Sequence, residues 1–155
     1  MTTPTIQWQY IPIAKPNNLT HVQILESIKK AVNEWNNALA GIVKFTQGDK
    51  KCRITFLFDT IDTVAHPGRI GECRASSQGW EIAFNINEKW NVGGWRKLLG
   101  IGCTLGSTAL HEIGHVLDLP HASDPSFIMA SEYNEQTKLY KKEIEAYRKF
   151  LNNQI

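Results

Sequence analysis

The chain has 155 residues, of which 42% are hydrophobic and 21% are charged. This length suits one domain with a sizeable core, and this composition excludes a disordered chain. The 17 Lys and Arg residues nearly balance the 15 Asp and Glu residues, which leaves a formal net charge of +2. So balanced a charge argues against a nucleic-acid or membrane-surface binder. We expect neither partner, and we expect a monomer.

Targeting segments and a disulfide framework are not readable in the sequence. The first residues form neither a basic nor an apolar leader region. The longest apolar uncharged stretch, Leu98 to Leu110, contains glycines and is shorter than the roughly 18 residues of a membrane span. Three cysteines are too few for a disulfide framework. We therefore expect an intracellular protein by default, or a secreted one if the chain is a mature form.

The first elements are indicated by two different periodicities. Alternating apolar and polar residues predict a half-buried strand from Ile6 to Ile13. Thr20 followed by Gln23 has the capping-box pattern, which predicts a helix start, and Gly41 predicts its end. One apolar stripe runs along this helix and comprises Leu25, Ile28, Val32, Trp35 and Leu39.

Strands dominate the middle of the chain and helices the end. Further strands are predicted at Ile42–Thr46, Arg53–Asp59 and Glu81–Asn87, with a short edge strand in the turn-rich segment His66–Arg74. Helices are predicted at about Cys103–Leu117 and Glu135–Asn152. This order of elements predicts an α+β domain with a mixed sheet.

The second predicted helix carries the most informative residues. His111 and His115 are four residues apart, so both imidazoles lie on one helical face and can bind one Zn²⁺. Glu112 directly follows the first histidine, so its carboxylate can lie beside the metal and accept a proton from an activated water.

His121 is the candidate for a third metal ligand. It follows His115 by six residues, so the helix must end and the chain must turn back before it. Asp118 tolerates a left-handed backbone better than most residues, and Pro120 cannot continue a helix. Three histidine nitrogens with an open fourth position are typical of catalytic zinc.

These residues resemble the signature of the metzincin zinc peptidases, His-Glu-x-x-His-x-x-Gly-x-x-His followed by a methionine-containing turn. Met129 lies eight residues after His121, a spacing similar to that of the matrixins, the matrix-metalloproteinase-like branch. The resemblance implies a zincin-like α+β fold: a twisted mixed sheet of four or five strands, a long first helix, an active-site helix and a C-terminal helix. It further implies a single metallopeptidase catalytic domain over residues 1–155, with an upper part at about 1–117 and a lower part at about 118–155.

The same resemblance implies a zinc endopeptidase with one catalytic Zn²⁺ and a peptide or protein substrate. Met129 would form a hydrophobic floor beneath the three imidazoles. The substrate would pair in extended form with the edge strand near Gly71–Ala75. The side chain after the cleaved bond would enter a pocket that usually prefers apolar residues. Tyr133 would hydrogen-bond the developing oxyanion, as a tyrosine near this turn does in some metzincins.

Two departures from the family pattern affect these expectations. Asp118 replaces the signature glycine, so it must adopt the same turn at a cost of about 1 kcal/mol. Its carboxylate either interacts with a ligand histidine or belongs to an inert turn residue. Only His66, with Asp59 and Asp62 before it, is available for the second zinc of matrixins, so we expect that ion to be absent. The sequence does not reveal whether calcium binds.

The sequence leaves open how the activity would be inhibited and whether the chain has a different function. No segment with an inhibitory cysteine precedes the domain in this sequence, so we expect no latency by that route. Cys73 is either an internal zinc ligand that inhibits the site or an ordinary thiol. One alternative function is a catalytically idle zinc-binding domain that recognises a peptide or partner protein. The other is a structural zinc module, which needs a fourth protein ligand.

Overall fold

One mixed sheet and four helices form the architecture in the computed structural model, which describes residues 2–154 apart from the side chain of Trp95. The main sheet contains β1 (Thr5–Tyr10), β2 (Lys44–Gln47), β3 (Ile54–Asp59), β4 (Gly71–Ser76) and β5 (Gly79–Asn85). Two short strands, β6 (Trp90–Asn91) and β7 (Cys103–Thr104), pair separately. The helices are α1 (His21–Ala38), α2 (Gly94–Leu98), α3 (Leu105–Val116) and α4 (Lys141–Asn152).

The strand order is β2-β1-β3-β5-β4. The first three pairings are parallel, and β4 runs antiparallel to β5 at the edge of the sheet. The predicted α+β class with a mixed sheet is therefore confirmed, with five strands. The strand β3 is central, and alternate side chains of it are buried, beginning with Ile54.

The helix α1 begins as its sequence predicts. The Thr20 hydroxyl accepts from the Gln23 backbone N–H at 3.1 Å, and the Gln23 side chain accepts from the Thr20 N–H at 2.9 Å. This reciprocal capping satisfies two backbone donors that have no partner within the helix. The buried face of α1 packs against α3, where the Trp35 indole donates to the Leu110 carbonyl at 2.8 Å. The long first helix thereby supports the helix that carries the histidines.

The core lies between the sheet and the helices α1 and α3. Aromatic rings dominate its sheet side, and Phe84 contacts Phe56, Phe58 and Trp90 with centroid separations from 5.3 to 6.3 Å. Fully buried aliphatic side chains join the sheet to the helices and include Ile24, Ile28, Ile54, Ile82, Leu105, Leu110 and Ile113. The burial of these side chains fixes how α3 is oriented over the sheet.

Several predicted boundaries were wrong. The last helix begins at Lys141 rather than near Glu135, because Glu135 has a positive φ of 60° and the chain stays irregular to Tyr140. The first strand ends at Tyr10 rather than Ile13. The edge strand begins at Gly71 and extends to Ser76, beyond the predicted segment. The helix α2 and the pair β6–β7 were missed, since each is too short to show a periodicity.

No helix among residues 2–154 is long and apolar enough to cross a membrane.

Candidate metal centre

Two histidines on the last two turns of α3 form one side of the site. The Nε2 atoms of His111 and His115 lie 3.1 Å apart. The Nδ1 atom of His111 is 2.6 Å from the Ile128 carbonyl oxygen, and that of His115 is 3.1 Å from the Leu119 carbonyl oxygen. A carbonyl oxygen can only accept, so each Nδ1 carries the proton and donates it. Both Nε2 atoms of the neutral rings therefore present lone pairs to each other.

The electrostatics of this pair suit a cation. Burial lowers the pKa of His111 to about 4, and burial also lowers the pKa of His115. Neutral imidazoles are the form that binds metal. Two lone pairs 3.1 Å apart cannot hydrogen-bond to each other, whereas a cation placed between them would satisfy both.

A tight helix end directs the chain back towards these rings. Asp118 has a φ of +58°, the left-handed conformation that usually follows a helix. Its N–H donates to the His115 carbonyl at 3.0 Å, and the Leu119 N–H donates to the Gly114 carbonyl at 3.1 Å. These two bonds are those of a Schellman motif, and the buried Leu119 side chain anchors it. The reversal then brings the next residues over the face of α3.

His121 is brought to the site by this reversal. Its ring centroid lies 5.3 Å from that of His111 and 4.9 Å from that of His115. The following residue, Ala122, donates its N–H to the Met129 carbonyl at 2.8 Å. This bond joins the segment 121–122 to the segment 129–130. His121 is exposed, so its face of the site is open to solvent.

The three imidazoles form one potential metal-binding cluster. Their ligand atoms all lie within 4.8 Å of one another. Within residues 2–154, no other group of three or more His, Cys, Asp or Glu side chains could hold a metal ion. Three imidazole nitrogen donors with one open side suit Zn²⁺ in a site that keeps a position for water or substrate. The residues present therefore fit the implied metal.

Glu112 lies beside this cluster and is buried. Its side chain is 6% exposed, and burial raises the pKa of its carboxyl group to about 7. The edge strand approaches closely here, since a Cβ atom at Gly71 would lie 3.4 Å from Glu112 Oε1. A nearby cation would favour the ionised carboxylate and lower this pKa. Such a group can exchange a proton near neutral pH.

The segment 127–130 forms the floor of the site. Met129 is fully buried, and its sulfur occupies the space that a Cβ atom would need at Gly114, between the two helical histidines. The Ile128 carbonyl accepts the hydrogen bond from His111 Nδ1–H, as described above. Backbone and side chain of this segment thereby support the ring positions from below.

A buried carboxylate holds this floor, and the sequence analysis missed it. Glu143 is 1% exposed, and its Oε1 accepts from the Ile128 N–H at 2.8 Å. Its other oxygen accepts from the Tyr140 N–H at 3.0 Å and from the Gln136 side-chain amide. The Tyr147 hydroxyl donates to Glu143 and accepts from the Met129 N–H at 3.4 Å. A single glutamate in a charged helix showed no signal that distinguishes it from its solvated neighbours.

The cluster opens into a cleft of about 760 Å³. One wall is the segment 65–73 with the start of β4, the second is α3, and the third is formed by residues 128–134. Tyr133 ties the third wall to the end of β7, directly before α3, because its hydroxyl accepts from the Thr104 N–H at 2.6 Å. Burial raises the pKa of this phenol.

Cys73 lies on the cleft wall but not in the metal-binding cluster. It is half-buried on β4, and burial, together with the negative charges of Glu112 and Asp118, raises the pKa of its thiol to about 12. The thiol is therefore protonated at neutral pH.

The candidates for a second zinc site are dispersed. Asp59 binds Arg74 at 2.9 Å, and Asp62 caps the backbone N–H groups of Val64 and Ala65 at 3.0 Å. His66 is exposed on the rim of the cleft. Among residues 2–154 these three side chains form no joint cluster of potential metal ligands.

Comparison with known proteins identifies the relatives of this chain. The matrixin family model matches residues 2–150, nearly the whole chain. The chain belongs to the matrixin family. The human protein matrix metalloproteinase-20 is 28% identical over an alignment of 127 positions, and the match covers 75% of this chain and 24% of that protein. Human matrilysin is 26% identical over an alignment of 140 positions, and the match covers 80% of this chain and 47% of that protein.

The matrilysin of Felis catus is similar as well, at 29% identity over 122 residues, 78% of this chain and 41% of that protein. The chain thus spans between a quarter and a half of these relatives. Family membership confirms the resemblance inferred from the motif, and the α+β architecture agrees with the metzincin fold. It supports a zinc metalloprotease kind of function.

Proposed function

We propose that this chain is a zinc-dependent metalloendopeptidase domain whose metal ligands are His111, His115 and His121. The observation that carries the proposal is the convergence of three imidazoles beside an open cleft, with a buried carboxylate next to them. We propose that residues 1–155 form one catalytic domain, which acts as a monomer on a peptide or protein and requires neither a nucleic acid nor a membrane. The location of the protein, intracellular by default or secreted if the chain is a mature form, stays a prediction from the sequence.

In this proposal Glu112 is the general base. The bound Zn²⁺ would supply a Lewis acid that activates water and polarises the scissile carbonyl. Glu112 accepts a proton from the attacking water and returns it to the leaving amine. Burial raises the pKa of this carboxyl group, which favours its protonated form, and a bound cation would oppose this shift and favour the ionised form that accepts the proton.

The cleft walls suggest how a peptide would bind. The antiparallel edge strand β4 pairs on one side only, so the other side of its backbone is available to an extended peptide. The absence of a side chain at Gly71 lets that strand lie against Thr108 and Glu112. A peptide added to this edge would cross the face on which the three imidazoles converge.

Other candidate residues receive supporting roles. Met129 is proposed as the methionine of the family's turn, because it packs beneath the helix between the two ligand histidines. Asp118 is proposed as the turn residue that redirects the chain. The hydrogen bond from Tyr133 to an oxyanion stays a prediction; the tyrosine hydroxyl already accepts from Thr104 and retains one proton to donate.

The test is cleavage of a mixed peptide library by the zinc-loaded protein, read by mass spectrometry, with Glu112→Ala beside it. We expect cleavage by the wild type, about one zinc per chain in both proteins, and a loss of at least about 10³-fold in turnover in the variant. Cleavage by both proteins at similar rates would contradict the role of Glu112. Silence from both with zinc bound would favour the idle binding domain.

A further inference from the structure

A closed loop connects the short strands β6 and β7, away from the metal centre. The side chain of Asn91 ties the two ends of this loop together. Its amide donates to the Ile101 and Gly102 carbonyls at 2.9 and 3.1 Å, and its oxygen accepts from the Gly93 N–H at 3.0 Å. Asn91 is 1% exposed, so these bonds are shielded from water. We call residues 92–101 the apolar loop, whose base is fixed by Asn91 and by the pairing of β6 with β7.

The apolar loop exposes large hydrophobic side chains instead of burying them. Leu98 is 86% exposed, Leu99 is 64% exposed, and Val92 and Ile101 are each 38% exposed. The helix α2 inside the loop has five residues and is too short to bury an apolar face of its own. Four such side chains within ten residues form a patch rather than scattered exposure. Patches of this kind mark a surface that meets a partner or a membrane.

Basic residues accompany this patch. Lys89, Arg96 and Lys97 are three of the four charged residues between positions 88 and 102, and Glu88 is the fourth. This short segment therefore carries the whole formal net charge of +2, and the rest of the chain is balanced. Lys89 lies against the end of the loop, because its Cβ atom is 3.3 Å from where a Cβ atom would lie at Gly102. The total charge of the chain, from which we expected no membrane partner, conceals this local excess.

The shape of the patch favours a lipid surface over a folded protein. Neither the cleft nor the small pocket beside Trp8 is lined by residues of the apolar loop, so neither cavity offers the loop's partner a groove. Ten residues are also fewer than the roughly 20–30 that one side of a stable protein interface comprises. A second copy of the chain is disfavoured, since a two-fold contact would bring Lys97 against its own counterpart.

A bilayer requires neither a groove nor a large rigid area. Leucine side chains can enter the boundary between headgroups and acyl chains, while long basic side chains keep their charges among the headgroups. The excess of positive charge selects a surface of the opposite sign, which anionic phospholipids supply.

We propose that the apolar loop is a peripheral contact for membrane surfaces that carry anionic phospholipids, with Leu98 and Leu99 inserted below the headgroups. All residues that line the cleft lie outside the apolar loop, so the loop can bind a surface while the cleft stays accessible. The proposed peptide cleavage does not require this contact. The contact would instead concentrate the domain, and with it the cleavage, at a lipid surface.

The strength of the contact has an apolar part and an electrostatic part. Transfer of an exposed leucine side chain out of water favours binding by at least about tenfold. Each basic residue near an anionic surface adds roughly fivefold. The electrostatic part is lost on neutral lipid and is weakened by salt, whereas the apolar part is not. The two parts can therefore be measured separately.

The test is co-sedimentation of the full zinc-loaded chain with vesicles of phosphatidylcholine alone or of phosphatidylcholine mixed with phosphatidylserine. We expect binding to the mixed vesicles, weaker binding to phosphatidylcholine alone, and release from the mixed vesicles as salt is added. Leu98→Gln/Leu99→Gln should weaken binding to the mixed vesicles by at least about tenfold. Lys89→Gln/Lys97→Gln should weaken it by more than about tenfold and leave binding to phosphatidylcholine unchanged.

Two double variants outside the loop are the matched controls. Ile13 is 86% exposed and Val22 is 71% exposed, so Ile13→Gln/Val22→Gln removes a similar amount of exposed apolar surface. Lys141→Gln/Lys149→Gln removes the same charge from the exposed face of α4. Both controls should bind the mixed vesicles as the wild type does.

Two results would overturn the proposal. One is the absence of binding to the mixed vesicles, and the other is an equal loss of binding in the loop variants and their controls. Sedimentation velocity tests the second copy as the occupant: a wild-type dimer that Leu98→Gln/Leu99→Gln dissociates, without vesicle binding, would assign the loop to self-association. Without vesicles the loop variants should cleave peptides as the wild type does. The endopeptidase proposal is tested separately, by cleavage of the peptide library.

Discussion

The sulfur atom of Met129 occupies the space that a Cβ atom would need at Gly114, one residue before His115, the second proposed metal ligand. Alanine normally stabilises a helix interior by about 1 kcal/mol relative to glycine. At this position the added methyl group must displace Met129 from the floor of the site. We therefore expect Gly114→Ala to lower the free energy of unfolding by about 2 kcal/mol and to weaken zinc binding. Urea unfolding and a zinc-binding titration measure the two effects.

Gly106→Ala provides the comparison within the same helix. The nearest atom to a Cβ at Gly106 is the Ser27 carbonyl oxygen at 3.9 Å, which is ordinary contact. We expect this variant to be at least as stable as the wild type, with unchanged zinc affinity. If both alanine variants behave alike, the contact between Met129 and Gly114 does not constrain the site.

Glu143 should matter to the metal centre although it touches no histidine. Its carboxylate accepts a hydrogen bond from the N–H of Ile128, and the carbonyl of Ile128 accepts a hydrogen bond from His111 Nδ1–H. Glu143→Gln replaces one acceptor oxygen with a donor, so buried donors lose their partners at about 1–3 kcal/mol each. We expect a lower free energy of unfolding in urea and weaker zinc binding. Glu145→Gln, two residues along on the exposed face of α4, should change neither quantity.

The ion-pair network around Arg74 should make stability depend on acidity. Arg74 binds Asp59 and Glu72 at 2.9 and 2.5 Å and thereby links β3 and β4 across β5. The hydrogen bond from Arg74 lowers the pKa of Asp59 below its ordinary 3.8. Burial raises the pKa of Glu72, but hydrogen bonds from Arg74 and Arg69 outweigh it and hold the pKa below its ordinary 4.5.

Carboxylates with lowered pKa values stabilise the folded chain above their unfolded pKa values, and this stabilisation disappears as the pH falls through the folded values. The side chain of Asp59 is 47% exposed, so solvent screens its pair with Arg74. We expect Arg74→Met to lower the free energy of unfolding by about 1 kcal/mol at pH 7 and by less at pH 3. Urea unfolding at both pH values measures this.

The pair Lys141–Glu145 serves as the reference for that experiment. Its side chains are 91% and 66% exposed and lie 3.9 Å apart. Lys141→Met should therefore leave the free energy of unfolding unchanged at either pH. An Arg74→Met variant with the same pH dependence as the wild type would show that the network contributes nothing.

The parts of the fold that the sequence predicted are those set by local periodicity and capping. The helical spacing of His111 and His115 placed both rings on one face, and the capping box of Thr20 and Gln23 marked the start of α1. The edge strand β4 gave a weaker pattern, because Glu72 and Arg74 bind each other over the sheet instead of alternating with apolar residues.

The parts that the sequence did not predict depend on contacts between distant segments. Glu143 bonds to Ile128, 15 residues away, and nothing in the spacing of the two residues indicates this. The start of α4 was placed too early because the apolar spacing continues before Lys141. The chain there is held irregular by Glu143, whose oxygens accept from Tyr140 and Gln136. These side-chain bonds to the residues just before α4 cap its start and override the apolar spacing.

Zinc should stabilise the folded chain through the three histidines. A ligand that binds only the folded state adds about 2.7 kcal/mol when its free concentration is 100 times its Kd. We therefore expect Tm to rise when zinc is added to the chelator-treated protein, and His121→Ala to reduce this rise. His66→Ala removes an exposed histidine outside the cluster and should leave the rise intact. An equal zinc effect in both variants would exclude His121 as a ligand.

Asp118 holds a left-handed backbone that costs a non-glycine residue about 1 kcal/mol. Glycine adopts this conformation without that cost, so Asp118→Gly should raise the free energy of unfolding by somewhat less than about 1 kcal/mol, because glycine also gains freedom in the unfolded chain. Asp118→Val should lower it, since a β-branched side chain is disfavoured at positive φ. Peptide cleavage by Asp118→Gly should equal that of the wild type if the residue only forms the turn. A folded, zinc-loaded Asp118→Gly protein with reduced kcat would instead assign its carboxylate a role beside the histidines.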